Sequence, residues 1–122
     1  ALLLLLDQFP RNMFRYTPLA FASDASARAV ADRAIARGFD RAVAPHSRSF
    51  FYLPFMHSEE LADQERCVAL YIAAQNDDGL KWAHEHADII RRFGRFPHRN
   101  AVLGRTTTAE EAAFLAGGGF SG

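Results

Sequence analysis

A single cysteine, Cys67, is all the thiol chemistry this chain of 122 residues carries. With no second cysteine there is no internal disulfide, and nothing in the chain asks for an oxidising compartment. Cys67 stands among helix-forming residues, so a packed, inert thiol is expected rather than a nucleophile. Net charge is missing as well: 14 basic side chains face 14 acidic ones, with a pI near 7.2. That balance removes the general electrostatic argument for a nucleic-acid or anionic-membrane partner. The apolar run Leu2–Leu6 falls well short of the roughly 20 residues a bilayer span needs. It also lacks the basic start and cleavage site of a signal peptide. A chain that opens at Ala1 inside a leucine run reads as one entered mid-helix, so a preceding helical segment is expected. No glycine-rich phosphate loop, GxSxG elbow, CxxC, HExxH or RNA-binding aromatic motif occurs. No 34-residue repeat is found either, and no stretch alternates with β-branched residues, so no sheet is expected.

What is present is material for a helical core. Apolar residues make up 49% of the chain, and eleven residues are Phe, enough to argue against disorder. The length suits one domain, which at this size buries roughly two-thirds of its unfolded surface. The expected domain is residues 1–116, followed by a flexible glycine-rich tail over 117–122.

The helical elements follow from periodicity and punctuation. Leu2–Gln8 reads as the end of a buried helix, which Phe9-Pro10 stops; a short helix then runs from Pro10 to Arg15. Thr17-Pro18 repeats the device. Ala27, Val30, Ala31, Ala34 and Ile35 mark a helix over 23–37 that Gly38 ends. The aromatic segment Ser49–Met56, interrupted by Pro54, reads as a short helix, with an extended piece as the alternative. Ser58 with Glu59 and Glu60 starts a helix reaching Gln75. Asn76–Gly79 turns into a helix over Leu80–Phe93, which Gly94 closes. Phe96-Pro97 opens a short helix to Leu103, and Thr107 or Thr108 with Glu110 or Glu111 forms a capping box for the last one.

Three groups of polar residues stand where a plain core would not put them. On the Leu80–Phe93 wheel, Trp82, His86, Ile89 and Phe93 fall within about 60° at 100° per residue. His86 therefore sits in the apolar stripe, as a buried imidazole bonded to a carbonyl or carboxylate, or as an acid–base group facing a pocket. His84 points the other way, so His84-Glu85-His86 cannot clasp one metal, and no metal is expected. The second group is an echo. Phe9-Pro10-Arg11-Asn12 with Arg15 resembles Phe96-Pro97-His98-Arg99-Asn100 with Arg105. Arginine in a first helical turn is electrostatically misplaced unless something negative answers it. Either the chain's own acids, such as Asp7, lock these arginines, or Arg11, Arg95, Arg99 and His98 converge on a carboxylate or phosphate. The third is the run Phe50–Met56 leading into His57 and Glu59, read as a core-filling linker with a hydrophobic staple or as a pocket wall with His57 and Glu59 at its mouth.

Three blocks, Leu4-Leu5-Leu6-Asp7-Gln8-Phe9-Pro10-Arg11-Asn12, Phe51-Tyr52-Leu53-Pro54-Phe55-Met56-His57-Ser58-Glu59 and Arg92-Phe93-Gly94-Arg95-Phe96-Pro97-His98-Arg99-Asn100, resemble those of the bacterial domain of unknown function 924 family. The resemblance covers nearly the whole chain. It implies a cytoplasmic, all-α fold, an array of helix hairpins grouped with TPR-like superhelices, and it points to no particular activity; no cofactor is expected. The family's polar positions map onto Asp7, Gln8, Arg11, Asn12, His57, Glu59, Gln64, His86, Asp88, Arg95, His98, Arg99 and Asn100.

Two functions compete. One is a site for a small anionic metabolite, lined by Asp7, Arg11, Asn12, Glu59, Arg95, His98, Arg99 and Asn100, with His57 or His86 as acid–base catalyst. The other is a TPR-like scaffold for a protein partner, without catalysis. A third reading makes the motif residues purely structural.

Overall fold

In a computed structural model, residues 2–121 are described; Ala1 and Gly122 lie outside them. Every regular element among the described residues is helical. The α-helices are α1 (Phe9–Met13), α2 (Asp24–Ala36), α3 (Phe39–Ala42), α4 (Ser49–Met56), α5 (Leu61–Ala73), α6 (Asp77–Phe93) and α7 (Ala109–Ala116). Short 3-10 turns at Pro18–Phe21, Pro45–Ser47 and Pro97–Arg99 join them, each begun by a proline. Proline suits a first turn because its missing N–H would be unpaired there anyway. None of the helices is long and apolar enough to cross a membrane.

The first proline behaves otherwise. Pro10 was expected to stop one helix and start another, yet the chain stays helical from Leu2 to Met13, with a π-helical turn at Leu4–Gln8. Pro10 has no N–H for the Leu6 carbonyl, and its ring crowds that oxygen, so the ladder widens instead of breaking. The freed Leu6 carbonyl accepts the Ser23 hydroxyl at 2.6 Å. This tethers the wide turn to the start of α2.

The α5–α6 hairpin is the largest packing unit, with α4 against both helices and α2 against α4. Tyr52, Phe55, Met56, Cys67, Tyr71 and Ala83 form its core with Leu3 and Ala31. Cys67 is fully buried, and burial pushes its thiol up to about 12. Gln64, also buried, donates from Nε2 to the carbonyls of Met56 at 2.7 Å and Ser58 at 2.6 Å, binding the end of α4 to α5. At Gly79 a β-carbon would overlap the Tyr71 ring; glycine here lets the helices close on each other. A second, smaller core joins Ile89, Ile90 and Phe96 to Phe93, Phe114 and Phe120.

Several boundaries move from their sequence positions. Helix α6 starts at Asp77, three residues early, because the Asn76 side chain caps it by accepting from Gly79 N at 2.9 Å. Helix α5 starts at Leu61, since Ser58 turns its hydroxyl to Asp63 at 2.7 Å. The helix expected from Pro97 to Leu103 is a single 3-10 turn. The capping box forms at Thr108 and Glu111. The buried stripe of α6 is centred on Ala83, His86, Ala87 and Ile90, which leaves Trp82 half exposed instead of in the core.

Candidate functional site

The wide turn before α1 delivers Asp7 to the end of α4. Its buried carboxylate meets His57 Nδ1 at 3.0 Å and Arg11 at 2.8 Å, and it also accepts from Gln8. Arg11 then forks onto Asp24 at 3.0 and 2.9 Å. Burial alone would raise the Asp7 pKa, but the His57 hydrogen bond and the Arg11 guanidinium hold it below the usual carboxylate range. Burial depresses His57 against the upward pull of Asp7, and Arg11 and Arg99 add to that depression. Near neutral pH the imidazole is therefore uncharged. It donates from Nδ1 to Asp7, which leaves Nε2 with its lone pair.

A second network braces the other side. Glu59 accepts both ends of the Arg105 guanidinium at 2.8 and 3.1 Å, and it accepts the Phe96 N–H at 2.6 Å. Arg105 continues to the Phe96 carbonyl and to Asn100, which is fully buried. Burial raises Glu59, but the Arg105 and Phe96 hydrogen bonds outweigh it and bring the group below its ordinary range.

Between the two networks lies Arg99. It is 93% withdrawn from solvent, with a relative exposure of 7%. Its guanidinium stacks between the rings of Phe21 and Phe96, at 4.3 and 4.8 Å from their centroids. One nitrogen donates to the His57 carbonyl at 2.8 Å. The Nε is buried and has no partner, and no carboxylate lies within ion-pair distance of this residue among the described residues. Burial, with Arg11 close by, pulls its pKa down to about 10.

Arg99 lines a cavity of about 240 Å³ together with Arg11, His57, His86, His98 and Phe120. Arg15 and Tyr16 stand at its exposed rim, Tyr16 with a left-handed φ of 69° that bulky residues rarely adopt. His86 donates from Nδ1 to the Trp82 carbonyl at 2.8 Å, so its Nε2 also keeps a lone pair. The buried Nδ1 of His98 has no partner. Burial lowers both rings to about 4, helped for His98 by Arg99, so both are neutral at physiological pH. The glycine-rich segment does not simply trail away. Phe120 returns against His86 and His98, with ring centroids 4.5 and 5.1 Å apart, and closes one wall.

Of the residues singled out from sequence, Arg11, His57, His86, His98 and Arg99 face one cavity, with Asp7 behind His57. Arg95 does not join them. It forks onto Glu111 at 2.8 and 2.7 Å and is used up bracing α7. Glu59 and Asn100 sit in the supporting network, Asn12 is exposed, and Asp88 pairs with Arg91 on the surface. Arg11 lines the cavity but is already matched by two acids. Sequence reasoning missed Arg15, Phe21, Asp24, Arg105 and Phe120 as site residues; of these Arg15 and Arg105 carried a signal, their matching places in the Phe-Pro echo. No group of three or more His, Cys, Asp or Glu among the described residues is placed to hold a metal ion.

This is an all-α protein in which five of the polar motif residues, Arg11, His57, His86, His98 and Arg99, line one cavity. Residues 1–119 match the family described as "Bacterial protein of unknown function (DUF924)", and the chain belongs to that family. A solved structure of a protein of unknown function from Agrobacterium tumefaciens, ATU0120, is similar at 54% identity with a TM-score of 0.90. The match covers 93% of this chain and 64% of that one, so the present chain spans less than two-thirds of its neighbour's length. No curated protein matches the chain.

Proposed function

We propose that the protein binds a small anionic metabolite, a carboxylate or phosphate, in the cavity beside Arg99, with His57 or His86 as the acid–base group. The observation that carries this reading is a buried guanidinium with an unpartnered Nε and, among the described residues, no carboxylate within ion-pair distance. An unpaired buried charge costs several kcal/mol by order of magnitude, and such costs concentrate at binding sites. Here the cost is reduced by two aromatic faces and one carbonyl, leaving donor capacity for something negative.

The histidines suit proton transfer. Asp7 fixes the orientation and tautomer of His57 as a second acid does for a catalytic base, and the Trp82 carbonyl does the same for His86. Burial keeps both rings neutral at pH 7, each with an unprotonated Nε2 that can accept a proton. A cytoplasmic setting, expected from the family, agrees with a lone buried thiol.

The competing TPR-like scaffold has exposed Phe50, Ile72 and Trp82 on its side. Met13, Phe14, Tyr16 and Leu19 add to them at the end of α1 and in the stretch after it, although exposed apolar side chains are common on globular surfaces. The test is a thermal-shift screen with anionic metabolites on the wild type and on Arg99→Gln. A ligand at 100 times its Kd adds about 2.7 kcal/mol to native stability, which reads as a clear rise in Tm. Ligands that stabilise both proteins equally would remove Arg99 from the site.

A further inference from the structure

The cavity's charge and lining narrow the ligand further, on the premise that the anion site above is real. Four guanidinium groups surround it: Arg11, Arg15 and Arg99 on its walls and Arg105 just behind. Three carboxylates face them, Asp7 and Asp24 on Arg11 and Glu59 on Arg105. The surplus is a single positive charge. The three histidines on the walls add none at neutral pH, as described above. A monovalent anion therefore balances the site, whereas a phosphate monoester, carrying roughly −1.5 to −2 at pH 7, overshoots it.

The walls speak to the rest of the molecule. Phe21, Phe96, Val102, Phe120 and Ala20 supply apolar surface, and the volume of about 240 Å³ equals roughly eight waters at about 30 Å³ each. A site of that size admits about eight to twelve non-hydrogen atoms. We infer that the ligand is a monocarboxylate with an apolar or aromatic body, its carboxylate on Arg99 and its body against Phe96 and Phe120.

The experiment is isothermal titration of the intact chain with a matched set at pH 7: phenylacetate, hexanoate, acetate, phenylacetamide and phenyl phosphate. Phenylacetate or hexanoate should bind at least about tenfold more tightly than the neutral amide, since hydrogen bonds to charged groups are worth that much or more. Acetate, without the body, should bind at least about tenfold more weakly. Arg99→Gln should remove the difference between acid and amide; Arg99→Lys keeps the charge and should retain part of it, which controls for misfolding. If phenyl phosphate binds in an Arg99-dependent way and the carboxylates do not, the anion site stands and the monocarboxylate assignment falls. If acetate equals phenylacetate, the apolar body is wrong. If none of the acids outbinds the amide, both the assignment and the anion site fall together.

Discussion

Replacing Arg99 by methionine should cost the protein almost nothing in stability while removing its ligand response. The pKa of this guanidinium falls from 12.5 to about 10, which at 1.36 kcal/mol per unit means that burying the charge costs about 3 kcal/mol. The sign is that of a base depressed on folding. The cost is present at all pH values below the folded pKa, so it is fully in force at pH 7. Against it stand one bond to the His57 carbonyl, worth about 1.5–3 kcal/mol, and two aromatic faces, worth about 0.5–1 kcal/mol each. The terms nearly cancel, and methionine fills most of the same volume between Phe21 and Phe96. Guanidinium denaturation should place Arg99→Met within about 1 kcal/mol of the parent. Arg11→Met is the contrast, because it strands Asp24 and leaves the buried Asp7 only His57 and Gln8, and it should cost about 3–5 kcal/mol. The reasoning is refuted if Arg99→Met loses as much stability as Arg11→Met, for then Arg99 is a structural tie and not a cation held in reserve.

Other outcomes follow from the same contacts. His86, depressed from 6.5 to about 4 by burial, binds its proton more readily in the unfolded chain. Stability should therefore be full above pH 6.5 and fall as pH drops towards 4, by up to about 3 kcal/mol from this ring; Tm measured across that window should fall less steeply in His86→Asn. His98 adds a smaller share in the same direction, because its ring is more solvent-screened. Glu59→Gln weakens both Arg105 contacts and the Phe96 N–H bond and should lower stability by about 2 kcal/mol, read as a lower denaturation midpoint at unchanged slope. Gly79→Ala drives a methyl into Tyr71 and should cost about 1–3 kcal/mol, against the gain a helical Gly→Ala change normally brings. The Cys67 thiol should react with an aromatic disulfide reagent only as fast as the protein opens, with wild-type reactivity unchanged by ligands that leave stability alone.

The helices were legible because their signals are local. Gly38 and Gly94 close α2 and α6, with left-handed φ of 75° and 72° near each end, and Thr108 with Glu111 gives itself away within four residues. Two boundaries failed where a side chain chose a partner outside that window. Ser58 turned to Asp63, and Pro10 was carried through by a π turn whose loose carbonyl Ser23 collects. In the candidate site the motif arginines were visible as a class, but their fates were not. Arg11 found Asp24, 13 residues away, and Arg95 found Glu111, 16 away. Only three-dimensional pairing distinguishes these from Arg99, which has no acid within ion-pair distance among the described residues. Phe120 was hidden for a related reason: a glycine-rich stretch carries no periodicity, and its contact is with a distant histidine pair.

The most direct test of the account is nuclear magnetic resonance of the arginine Nε–H groups during titration with phenylacetate. The Arg99 resonance, assigned by its loss in Arg99→Lys, should shift with saturation as the unpartnered Nε gains an acceptor, while those of Arg95 and Arg105 stay in place. An Arg99 resonance that holds still while the ligand binds elsewhere would contradict the claim that this buried cation is kept for an anion.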